Sequence, residues 1–134
     1  MEKKLFDFEA YEQLIAKMAA AAKAGDSDAE LDLDAFEKAM ASFHEYVSAV
    51  GMSEAQIRMA QARLDGAALR DAVAESDAMR HVHHEAAIAN AAMLNRMAAA
   101  YGVGPIFLGD TAERLEVAAF CMEVTDELFR QRRI

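Results

Sequence analysis

"AALRDAVAESDAMRHVHHEAAIANAAMLNRMAAAY", residues 67 to 101, runs for 35 positions without a proline or a glycine. In its second half Ile88, Met93, Leu94, Met97 and Tyr101 recur at helical spacing, and alanine occupies nearly every other side. An apolar stripe of that period predicts a helix, and alanines all round predict one enclosed by neighbours. The segment is longer than the usual globular helix, so a kink or restart is expected near Ser76 and Asp77, both able to cap. Gly102 stands where a left-handed residue would end it.

The neighbouring segments obey the same logic. Upstream, Ser53 and Gln56 have the spacing of a capping box and open a helix carrying Ile57, Ala60 and Leu64, closed by Asp65-Gly66. Before it, Phe36, Ala39, Met40, Phe43, Val47 and Val50 form the cleanest amphipathic face of the chain, which predicts a helix over 35–50 ended by Gly51. The first helix is expected from Asp7 to Ala24, with Asp7 as cap, Phe6 stapled to Tyr11, and Gly25 as terminator. The polar run "GDSDAELDLD", 25–34, reads as a linker between these two helices. After Gly102 comes "GVGPIFLGD", a turn and an apolar loop suited to plug one end of a bundle. Asp110 with Glu113 then caps a last helix whose buried face is Val117, Phe120, Cys121, Val124 and Leu128. The expected fold is all-α: a compact single-domain bundle of about five helices, 1–134, with 67–101 as its long central helix.

Composition agrees. Of 134 residues 54% are apolar, 31 are alanine, one is proline and none is tryptophan, so the core has to come from close helix packing around Leu, Met and Phe. The net charge of −9 repels phosphate backbones, and "RQRRI" at the end reads as Arg130, Arg132 and Arg133 complementing the negative end of a helix rather than as a nucleic-acid patch. No apolar stretch is long enough for a signal peptide or a membrane span, and Cys121 has no partner thiol, so the expected location is the cytoplasm.

Three histidines in "HVHHE", 81–85, raise the question of a metal. At helical spacing Asp77, His81, His84 and Glu85 share one side, so one helix offers two imidazoles and two carboxylates. A metal site needs three or four ligands and usually a second helix, which His44 and Glu45 could supply. The competing reading is a set of structural histidines on the flank of a mostly buried helix. No zincin pair, Glu-x-x-His pair or His-Asp doublet is present.

"DSDAELDLDAFE", 26–37, resembles a calcium loop, with Asp26, Asp28, Glu30, Asp34 and Glu37 at positions 1, 3, 5, 9 and 12 and Leu33 at the apolar eighth. Leu31 stands where such loops need glycine, and Asp34 with Glu37 would serve equally as a helix capping box. Cys121 sits on an apolar stripe between Phe120 and Met122, as an inert core thiol does. Glu123 and Asp126, with Asp34 and Glu37, resemble the magnesium-binding carboxylate pairs of all-α nucleotide pyrophosphatases, although acidic residues at helical spacing usually form a solvated face. No nucleophile elbow, phosphate loop or dinucleotide fingerprint occurs.

Arg80, His84-Glu85, Ala87-Ile88, Leu94-Asn95-Arg96, Tyr101-Gly102, Gly109-Asp110, Arg114 and Phe120 together resemble the C-terminal part of a small bacterial all-helical family of unknown function, over about 80–132. The resemblance implies no activity. Asn95, Arg96, Asp110 and Arg114 are expected to form a polar network between the last two helices that specifies the fold. With catalytic patterns missing, the expected function is a non-enzymatic interaction or regulatory protein. It would bind a partner's basic surface through the acidic face of Asp26, Asp28, Glu30, Asp32 and Asp34, in its most specific form as a mobile-element inhibitor of a nucleic-acid-binding protein. The alternative is a metal-binding enzyme or sensor at His81 and His84. Neither a cofactor nor direct nucleic-acid or membrane contact is expected, and methionine- and alanine-rich faces would allow a homodimer.

Overall fold

The computed structural model describes residues 4–110 and 113–132 and is all-α, with four helices. These are α1 (Phe8–Lys23), α2 (Ser27–Ala62), α3 (Gly66–Ala100) and α4 (Arg114–Arg130). The count is four rather than about five because α2 absorbs the expected linker and two expected helices. Arg130 lies in the last turn of α4, as the dipole argument expects, while Arg133 lies outside the described residues.

The start of α2 is set by Asp26, whose carboxylate accepts from the Asp28 and Ala29 N–H groups at 3.0 and 3.3 Å. The acidic residues that read as linker, Asp28 and Glu30, fall in the first turn, where the helix dipole favours them. Ala29, Phe36, Ala39, Met40 and Phe43 are buried along the same side, so the apolar period begins inside the expected linker. Asp34 and Glu37 are therefore mid-helix and cap nothing.

Gly51 does not end this helix, and Ser53 does not begin another; Ser53 is buried within α2. A mid-helix glycine costs about 1 kcal/mol relative to alanine. Pairing α2 with α3 outweighs that, because this antiparallel pair shares the most extensive packing in the molecule. Nor does α3 restart at Ser76 or Asp77: the helix continues through both, with Ser76 buried. The last helix is capped by Glu113, whose carboxylate accepts from Leu115 N–H at 3.3 Å, rather than by Asp110.

Helix ends share one plan. Asp7, Asp26, Asp65 and Glu113 cap the four N-termini through their carboxylates. At the other ends Gly25, Leu64, Gly102 and Arg132 take φ of 98°, 54°, 73° and 56°. After α1, α2 and α3, crossed N–H to C=O bonds such as Val103 N–H to Ala98 O at 2.8 Å complete the left-handed cap.

Each long helix spans about 54 Å. Only one half of the pair is covered: α1 packs on α2, and α4 on both α2 and α3. The hydrophobic core gathers Phe36, Met40 and Phe43 of α2, Ala87, Ala91 and Leu94 of α3, and residues of α1 and α4. Towards the Leu64 turn neither α2 beyond Val47 nor α3 before Ala87 contributes to it. There the seam is made of Ala49, Ser53, Ala60 and Ser76.

Leu64 combines a left-handed backbone with 92% exposure, so its side chain returns little for the strain. Replacing it with glycine is expected to stabilise the protein by about 1 kcal/mol, read as a higher urea midpoint at unchanged slope.

Candidate interaction site

The 103–108 segment is the plug anticipated from its sequence, with Val103, Ile106 and Phe107 buried. It is not helical, so its buried backbone groups need partners from outside a helix. Asn95 supplies three: its Oδ1 accepts from Ile106 and Phe107 N–H at 2.9 and 3.0 Å, and its Nδ2 donates to Phe107 O at 2.9 Å. The residues before α1 lie antiparallel to the plug, with Asp7 N–H to Ile106 O at 2.9 Å and Leu108 N–H to Leu5 O at 2.8 Å. Glu123 of α4 closes the arrangement by accepting from Leu5 and Phe6 N–H, each at 2.9 Å.

The expected polar network is thus built differently from the expectation. Asn95 does join α3 to the plug, but through backbone atoms. Asp110 contributes its own backbone, N–H to Glu116 Oε2 at 2.6 Å and C=O to Glu113 N–H at 3.0 Å, while Arg96 and Arg114 are exposed. Glu123, whose spacing resembles that of magnesium carboxylates, is occupied in holding the N-terminal segment.

The histidines divide. His84 is buried at 3% exposure beside Tyr46, with ring centroids 5.8 Å apart, and its Nε2 has no hydrogen-bond partner among the described residues. Burial, and then the nearby Arg114 charge, hold its pKa below the usual value, with Glu85 opposing and His81 adding to the depression. His81, Asp77 and Glu85 are exposed. His44 belongs to a different surface, a groove between α1, α2 and α4, so it does not complete a set with His84. Among the described residues no three His, Cys, Asp or Glu side chains converge as a metal site. Cys121 is fully buried, which pushes its thiol up to about 12.

Residues 26–37 form a helix from Ser27 rather than a calcium loop, and winding sorts the acidic residues. Asp26 is a cap. Asp32 accepts from the Tyr101 hydroxyl at 2.8 Å, and burial together with that bond pushes the phenol up to about 12. Asp28 lies on the same flank, exposed. Glu30 and Asp34 face the solvent side instead, joined at three- and four-residue intervals by Glu37 and, beyond Ala41, Glu45. Asp34 pairs with Lys38 at 2.8 Å.

Beside that solvent edge lies the groove, of about 360 Å³, between α1, α2 and the end of α4. Ile15, Leu33, Phe36, Met40 and Leu128 make it apolar, and Glu37 and His44 are its polar members. Asp126 lines a different pocket with Lys4, Phe8 and Glu127, so the four carboxylates compared with pyrophosphatases do not share a site. The groove was not legible in the sequence: Leu33 lay in the supposed linker, and Ile15 and Met40 read simply as core.

The helix order, the plug and the Asn95 clamp that holds it are features of a chain whose sequence matches a known family over nearly its whole length. The chain belongs to the DUF3232 family. The match to this family of proteins of unknown function covers residues 8–134, well beyond the C-terminal resemblance over about 80–132. No curated protein and no solved structure matches the chain. No described helix is long and apolar enough to cross a membrane.

Asn95→Ala is expected to cost about 3 kcal/mol, since it leaves plug backbone groups unpaired, whereas Arg96→Ala next to it stays within about 0.5 kcal/mol; urea unfolding compares the two. The depressed His84 pKa means that the unfolded chain binds a proton first as pH falls through about 6.5. Wild-type stability should therefore drop below that pH until the folded-state pKa is passed, and the drop should be smaller in His84→Leu, measured as Tm at about pH 7.5 and 5.5.

Proposed function

We propose that this protein is a non-enzymatic binding module that engages a basic surface of a partner protein through the solvent edge of α2. One observation carries the reading. Glu30, Glu37 and Glu45 line that edge with Asp34, and among the described residues no side-chain hydrogen bond ties the three glutamates to the fold, whereas Asp7, Asp26, Asp32, Asp65, Glu113 and Glu123 are engaged in caps or clamps. The edge therefore holds charge in excess of what the helix needs: Glu30, Asp34 and Glu37 follow one another at about 5–6 Å, Glu45 stands about 12 Å further on, and such a row complements cationic side chains.

In its specific form the module is a regulator that occupies the phosphate-binding groove of a nucleic-acid-binding protein, with the acidic edge taking the place of phosphates. A metal-centred function has less support, because His44, His81 and His84 stand in three different environments.

Cross-linking with mass-spectrometric readout in the source cells tests this. Cross-links from the partner should fall on α2 between Glu30 and Glu45. They should decline about tenfold in the Glu30→Lys/Asp34→Lys/Glu37→Lys variant and with short duplex DNA as competitor. Unchanged cross-links in the triple variant would overturn the reading.

A further inference from the structure

The acidic edge runs directly beside an apolar groove, and that adjacency specifies what the partner presents. Between Leu33 and His44 the floor follows α2 for about 16 Å, roughly three turns of a helix. Tyr11 and Ile15 line it from α1 and Leu128 from α4. The floor is mainly side chain and offers few polar partners to an extended backbone, so an occupant has to satisfy its own main-chain groups, as a helix does. The carboxylate among the lining residues is on α2. Glu37 lines the groove, Glu30 and Asp34 extend its side of α2 in one direction, and Glu45 extends it in the other.

We infer that the groove between α1, α2 and α4 receives an amphipathic helix of the partner, whose apolar ridge seats on Leu33, Met40 and Ile15 and whose lysines or arginines, along one flank, meet Glu30, Glu37 and Glu45. This inference rests on the acidic-edge reading and adds to it the secondary structure and polarity pattern of the bound segment. The recognition is helix-in-groove, with apolar anchors at i, i+3, i+4 and i+7 providing affinity and the one-sided charge fixing the orientation.

The protein contains no tryptophan, so a tryptophan in a peptide reports alone. The probe is a synthetic Leu/Lys amphipathic helix of about 18 residues, five turns, with one tryptophan in its apolar ridge. Its control is a peptide of identical composition with the period scrambled. The amphipathic probe should bind the full chain about tenfold more tightly than the scrambled one at roughly 0.15 M salt, with a blue-shifted tryptophan. Ala41 is exposed and lines the groove, so Ala41→Trp, read by anisotropy of a dye-labelled probe, plugs the groove without burying a charge. It should abolish that preference, and Ile15→Lys should do the same.

Equal binding of the two peptides, or a preference that survives both substitutions, overturns the helix-in-groove inference. If Glu30→Lys/Asp34→Lys/Glu37→Lys still weakens both peptides in that case, the acidic-edge reading stands by itself; if it weakens neither, both fail. Far-UV circular dichroism and Tm of each variant separate loss of the groove from loss of fold.

Discussion

A non-helical segment that puts Val103, Ile106 and Phe107 into the core has to find partners for its buried N–H and C=O groups outside a helix, and in this molecule Asn95 takes three of them. A helix could have fed its own backbone, but residues 103–108 enter the core without forming one. A single amide fixed on a long helix takes two successive N–H groups on its oxygen and gives one N–H back to the Phe107 carbonyl. With the plug aligned, the N-terminal segment can pair with it, and Glu123 can close the other side. Phe120 then meets Phe6, Phe43 and Phe107 at centroid distances of 5.9, 5.1 and 4.7 Å, joining the N-terminal segment, α2, the plug and α4 in one aromatic cluster. The polar clamps and the apolar cluster thus fix the same two segments, 103–108 and the residues before α1, from opposite kinds of contact.

The negative charge of this chain is of two kinds. One group of carboxylates is spent on helix starts and on the Asp32–Tyr101 and Glu123 contacts, where a backbone or phenol donor uses it up. The other is exposed with little local demand, as the row on the outer side of α2 and as Asp71, Glu75, Asp77 and Glu85 along α3. The second group is the freer to meet cationic side chains of another molecule, although a count of charges over the sequence weighs both alike.

The second half of α3, and the buried faces of α1 and α4, were legible because their apolar residues recur at an unbroken helical period, although the cap of α4 and the continuity of α3 through Ser76 were misread. The division of α2 was misread for an equally physical reason. Acidic residues in 26–34, a glycine at 51 and serine at 53 all carry local signals for ends, and each is overridden by contact with α3, a contact between residues far apart in sequence. The role of Asn95 as a link after α3 could be anticipated from its place beside an apolar run. That its partners would be main-chain atoms could not, because backbone groups leave no trace in residue identity. The groove escaped for a similar reason: periodicity marks which residues face inward, and it does not say which of them the neighbouring helices fail to cover.

The α2–α3 pair has a covered half and a bare half, and in the bare half each residue answers only to the facing helix. Repeats with nearest-neighbour contacts can gain or lose units without disturbing the rest. Removing seven residues from each arm of this hairpin, two turns on either side of the Leu64 bend, would shorten it by about 10 Å while keeping the seam in phase. The reach of the hairpin and the packing of the head are therefore set by separate contacts, like the length of a ruler and the shape of the hand that holds it.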